Sequence, residues 1–133
     1  MRADISAALD RAPNGVKDEL LAGPARQPLM MLDEHLPSAE AVSQLASVAP
    51  KVAGSASRNC VLALTDRRLI FVAPLPQVLS WRLVDLDQVV HISMGLHIGI
   101  GGSTITFPID GTWGKTLADQ INNAVAISRL AGG

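Results

Sequence analysis

The apolar positions change their spacing part-way along the chain. Over residues 1–38 they form short clusters suited to helices. Asp4 is placed to cap a first helix over residues 5–11, which Pro13-Asn14-Gly15 ends or kinks. Val16 to Leu21 reads as a second helical segment, with Leu20 and Leu21 as its apolar edge and Gly23-Pro24 as its stop. Pro28-Leu29-Met30-Met31-Leu32 leaves helix and irregular coil both open. After Pro37-Ser38 the pattern turns towards period two. Within residues 41–52, Val42, Leu45 and Val48 fit a helix while Val48, Pro50 and Val52 alternate, and a strand is expected over the later part.

Residues 54–59 are small and polar, the composition of a loop. Two strands follow, Cys60–Thr65 and 69–73, joined tightly at Asp66-Arg67-Arg68. Leu62 and Leu64 share one face of the first strand, Val61 and Ala63 the other. Both faces are apolar, which places this hairpin centrally. Pro74-Leu75-Pro76 forces a loop. A strand over 78–84 carries Leu79, Trp81 and Leu83 on one side, and residues 85–87 make a turn or bulge. Strands over 89–94 and 96–100 come next, then a hairpin turn at Gly101-Gly102. In Ser103–Pro108, Ile105 and Phe107 alternate with Thr104 and Thr106. The chain closes on an amphipathic helix, capped by Asp110 or Thr112. Trp113, Leu117, Ile121 and Val125 recur four apart, and Gly132-Gly133 ends it. About seven short strands, evenly spaced and followed by one helix, indicate a small sandwich or barrel.

Length and composition narrow the function classes. A chain of 133 residues, 48% hydrophobic and 17% charged, fits one folded domain with a real core. The net charge of −1 gives no bulk field for nucleic acid or an anionic membrane. Aromatic residues are 3% (Trp81, Trp113, Phe71, Phe107), too few for a base-stacking platform. Cys60 is the only cysteine, so no intrachain disulfide forms. No apolar run approaches the ~20 residues of a membrane span, and Met1 to Ser6 lack the apolar core of a signal peptide. A soluble cytoplasmic protein is expected.

Candidate chemistries are weak. Gly111-Thr112-Trp113-Gly114-Lys115-Thr116 has the tail of a phosphate-binding loop, but the glycine needed five positions before Gly114 is Ile109. A helix start with Lys115 pointing outward is the simpler reading. Gly99 to Ser103 reads as a hairpin turn before a phosphate cradle. His91 and His97 lie on neighbouring predicted strands and can face each other, yet two histidines without a third ligand make a poor metal site. Cys60 opens a core strand and behaves there as a small hydrophobe. Asp85 and Asp87 suit turn capping. No nucleophile, base and oxyanion donor assemble, so no enzyme activity, cofactor or metal is expected.

The order strand, Leu64-Thr65-Asp66-Arg67-Arg68-Leu69, strand, meander, C-terminal helix resembles the bacterial pleckstrin-homology-like (PH-like) domains of the YokE-like kind. The resemblance spans roughly residues 41–130. It implies an α+β, mainly β fold: a bent antiparallel barrel of about seven strands capped by the C-terminal helix, with Trp113 plugging the open end. Residues 1–38 would be an N-terminal helical extension packed on a PH-like domain at 39–133. The family is a scaffold whose members bind lipids or proteins.

The function expected on these grounds is a non-catalytic interaction module that binds protein, either a partner or another copy of itself, in the bacterial cytoplasm. The alternative is anionic phospholipid held at two basic loops, Lys51 with Arg58 and Arg67 with Arg68. A small enzyme using His91 or His97 is the remote alternative. Arg67 and Arg68 read first as parts of a structural turn.

Overall fold

A computed structural model describes residues 1–49, 59–74, 77–109 and 111–132. The fold is α+β. Three helices, α1 (Ala3–Arg11), α2 (Asn14–Leu21) and α3 (Arg26–His35), precede seven strands and a long final helix, α4 (Gly111–Gly132). The strands are β1 (Val42–Val48), β2 (Cys60–Thr65), β3 (Arg68–Ala73), β4 (Gln77–Arg82), β5 (Leu86–Ile92), β6 (Gly95–Ile100) and β7 (Ser103–Pro108). They pair antiparallel in two sheets, ordered β1-β2-β3-β4 and β5-β6-β7. Among the described residues no strand pairs across from one sheet to the other, so the expected barrel is not closed by main-chain bonds.

The hairpin β2–β3 is central because both of its faces are used. Leu62, Leu64, Leu69 and Phe71 point into a core shared with the second sheet and α4. Val61, Ala63, Ile70 and Val72 point the other way, into a second core with α1, α2 and α3. Every residue of β2 is buried. A strand covered on both sides must be apolar at consecutive positions, which is the pattern of Cys-Val-Leu-Ala-Leu. The N-terminal helices therefore cover the outer face of the first sheet. α4 packs against β5, β6 and the 3-10 turn Leu83–Asp85. Trp113 does not plug a barrel end alone: its Nε1–H donates to Leu45 O at 3.3 Å, tying α4 to the first sheet.

Several boundaries differ from the sequence reading. The open stretch at 28–32 lies inside α3, where Pro28 falls in the first turn and needs no amide partner. β1 begins at Val42, earlier than expected, while Pro50, Val52 and the loop at 54–58 lie outside the described residues. β4 stops at Arg82 and the 3-10 turn Leu83–Asp85 follows, while Asp87 belongs to β5 at a register shift between Leu86 and Val89, which agrees with the expected turn or bulge over 85–87. Thr112 lies within α4 and does not cap it; Asp110 lies outside the described residues. β5 ends at Ile92 rather than residue 94, because Ser93 (φ 52°) and Met94 (φ 61°) form a two-residue hairpin turn. That left-handed pair is the geometry Gly101 (φ 57°) and Gly102 (φ 85°) supply without strain between β6 and β7. Met94→Gly should therefore raise the unfolding free energy by about 1 kcal/mol. Chemical denaturation with an unchanged m-value reads this.

Asp4 also departs from expectation. α1 begins at Ala3 with no side-chain cap. The Asp4 carboxylate instead accepts the Val42 N–H at 2.8 Å and a two-point bond from Arg2 at 3.1 Å. Burial works against its charge, but the Val42 N–H, Arg2 and the Ile5 N–H outweigh burial and lower its pKa. A lowered folded-state pKa adds stability above the unfolded value and loses it as pH falls through the folded value. Asp4→Asn should cost about 1 kcal/mol at neutral pH, and the gap should close on acidification. Urea midpoints at neutral and acidic pH check it.

Candidate interaction surface

The turn after β2 is built by Thr65. Its Oγ1 accepts from the Arg67 N–H at 3.1 Å and the Arg68 N–H at 3.0 Å, which fixes the turn at Asp66-Arg67. The same hydroxyl lies 2.6 Å from Glu40 Oε2 and donates to it. Glu40 is only 3% exposed. The guanidinium of Arg68 closes on this carboxylate, Nε lying 2.9 Å from Oε2 and 3.2 Å from Oε1. Asp66 completes the knot by accepting the Ala41 N–H at 3.1 Å. The segment before β1 is thus locked onto the β2–β3 turn by one buried charge.

This decides what the basic residues offer. Arg68 is committed to Glu40, as part of the turn, and is not free for the lipid contact it was a candidate for. Arg67 is exposed, and its guanidinium has no partner among the described residues. Lys51 and Arg58 lie outside the described residues. Nothing in the sequence had pointed to Glu40. The retrospective signal is Thr65 and Arg68, three apart across a turn and both hydrogen-bonding, which call for an acidic partner.

The histidines do not meet. His91 is opposite Leu96 and His97 is opposite Val90, which puts them on opposite faces of the second sheet. The His91 ring lies against Gly114, where an added Cβ would overlap it, and its Nε2 is 2.5 Å from Ile109 O. This close approach is why a glycine sits in the first turns of α4. His97 bonds Thr106 Oγ1 at 2.9 Å and Ile92 O at 3.2 Å. Burial raises the pKa of the Cys60 thiol, which opposes thiolate formation. A cleft of about 580 Å³ lies between the C-terminal half of α4 and the β2–β3 turn, lined by Val42, Thr65, Leu83, Val84 and Ile127. Its one ionisable lining residue is Asp66, already bonded to Ala41.

The sheet edges are treated unequally. On β1, Asp4 takes the Val42 N–H, Arg11 donates to Ser43 O and Trp113 to Leu45 O. On β5, Asn122 of α4 both accepts the Val89 N–H at 3.0 Å and donates to Val89 O at 2.7 Å, while Arg129 donates to Leu86 O. These side chains occupy main-chain groups that would otherwise recruit a strand. β7 begins with the exposed Ser103 and Thr104 and ends in Pro108. β4 is the other outer strand of the first sheet, and no described side chain bonds its main chain. It exposes Val78 (58%) and Leu79 (42%). Its one charge, Arg82, pairs with its own Asp85 at 3.0 Å.

Beside β4 runs an apolar groove of about 120 Å³ between α3 and the sheet, lined by Met31, Leu32, His35, Ile70, Val72 and Val78. An open strand edge next to an apolar groove is able to take an extended segment, its main chain pairing with β4 and alternate side chains entering the groove. No family model matches the chain, and no curated protein matches it. The surface is therefore read from its own chemistry. Among the described residues no helix is long and apolar enough to cross a membrane.

Proposed function

We propose that the chain is a non-catalytic PH-like interaction module that binds protein in the bacterial cytoplasm, with the β4 edge and the adjoining α3 groove as its docking surface. The element order supports the PH-like reading: a four-stranded and a three-stranded antiparallel sheet followed by one helix, with the Leu64 to Leu69 hairpin at the centre. The unprotected β4 edge carries the functional reading. Of the outer strands it alone, among the described residues, combines a main chain that no side chain bonds with two exposed large aliphatic residues. Anionic lipid is the weaker reading, because Arg68 is spent on Glu40 and Arg67 stands by itself among the described basic candidates.

Affinity purification from the native cell, with wild type and a Val78→Lys/Leu79→Lys variant run side by side, tests this. Proteins retained by the wild type should be lost from the folded variant. Vesicles rich in acidic phospholipid should leave the chain unbound at low salt. Identical partners on both proteins would remove β4 as the surface. Vesicle binding that disappears in Arg67→Ala would replace the protein reading with the lipid one.

A further inference from the structure

We infer that the β4 edge is completed by β4 of a second copy of this chain, joining two four-stranded sheets into one continuous antiparallel sheet about a two-fold axis. This rests on the reading of β4 as the docking edge and adds the identity of the occupant.

The edge is self-complementary. A two-fold axis perpendicular to the sheet keeps each face on the same side in both copies, so facing residues must share parity along the strand. With the axis at Leu79, that side chain meets the second copy's Leu79 directly. Val78 then faces Ser80, and Gln77 faces Trp81. The two Val78 side chains become diagonal neighbours on the face that carries the α3 groove, within contact reach across the pair. No charged residue opposes another in this register. Arg82 falls beyond the last pair and keeps its own Asp85, bonded at 3.0 and 3.3 Å.

The other outer strands do not offer the same contact. Forming it on β1 would break the bonds from Asp4, Arg11 and Trp113, and on β5 those from Asn122 and Arg129. β4 has no lysine, proline or bulge along its six residues, the devices that normally keep an exposed edge from pairing. A net charge of −1 leaves little repulsion between two copies. Pairing five residues on each side is a small interface, so the dimer is concentration-dependent rather than obligate.

Sedimentation equilibrium of the full chain over a wide concentration range tests this. The wild type should rise from monomer to dimer mass. Leu79→Lys and Leu79→Glu should each weaken dimerisation by about tenfold or more, because they set like charges directly across the axis. Mixing the two variants should restore a heterodimer, which a misfolded chain would not do. A wild type that stays monomeric at every concentration overturns the inference. If the Val78→Lys/Leu79→Lys variant still loses its partners in that case, the docking edge stands with a different occupant. Dimerisation untouched by Leu79→Lys, or variants that fail to pair on mixing while both remain folded, also overturns it.

Discussion

Replacing Arg68 by alanine should lower the unfolding free energy by about 3 kcal/mol, while Arg67→Ala should leave it within about 0.5 kcal/mol. The two arginines are neighbours on one turn, and composition alone gives them the same role. Their environments do not. The carboxylate of Glu40 is 3% exposed, and without Arg68 its remaining side-chain partner among the described residues is the Thr65 hydroxyl at 2.6 Å. A buried carboxylate stripped of its cation retains its desolvation cost and loses its compensation. Arg67 has no such partner among the described residues, so its removal returns an exposed side chain to alanine. Urea midpoints for the two variants at neutral pH read the difference. Equal losses would mean that the Glu40 contact does not organise the turn.

Phe107→Ala should cost about 3–5 kcal/mol. Phe107 of β7 lies against Phe71 of β3, ring centroids 5.3 Å apart and planes inclined by 27°. With no main-chain bond joining the sheets among the described residues, side chains such as these hold them together. The double variant Phe71→Ala/Phe107→Ala should therefore lose less than the sum of the singles, by about 0.5–1.5 kcal/mol. Calorimetric unfolding of the four proteins closes the cycle. Strict additivity would place the inter-sheet contact elsewhere.

The elements that packing makes unambiguous were legible in the sequence. Consecutive apolar residues in Cys60–Thr65 reported a strand covered on both faces, and they are buried by the second sheet on one side and three helices on the other. The four-residue spacing from Trp113 to Val125 reported the buried face of α4. Features set by tertiary contact were not legible. Ser93-Met94 adopts a left-handed hairpin turn with neither glycine nor asparagine, so turn composition passes over it. Asp4 resembles a helix cap by position, yet its carboxylate serves a strand 38 residues away. His91 and His97 sit on paired strands as expected, but only the register reveals that they face apart.

The docking edge was hidden for a related reason. The sequence marks residues 78–84 as a strand with Leu79, Trp81 and Leu83 on one side; Trp81 and Leu83 pack on the core between the sheets, while Leu79 stays 42% exposed. Periodicity states which residues share a face. It does not state which strand ends a sheet, nor that Asp4, Arg11, Asn122 and Arg129 of distant helices occupy the main chains of β1 and β5 and leave β4 open.

Amide hydrogen exchange resolved by residue and measured in dilute and in concentrated solution tests the β4 edge most directly. The Val42 and Val89 amides, bonded to Asp4 and Asn122, should be protected at both concentrations. Amides of residues 77–82 that β3 does not take should exchange freely when dilute and slow as the chain is concentrated. Protection of those β4 amides in dilute solution, or exchange at Val42 and Val89 as fast as in β4, would contradict it.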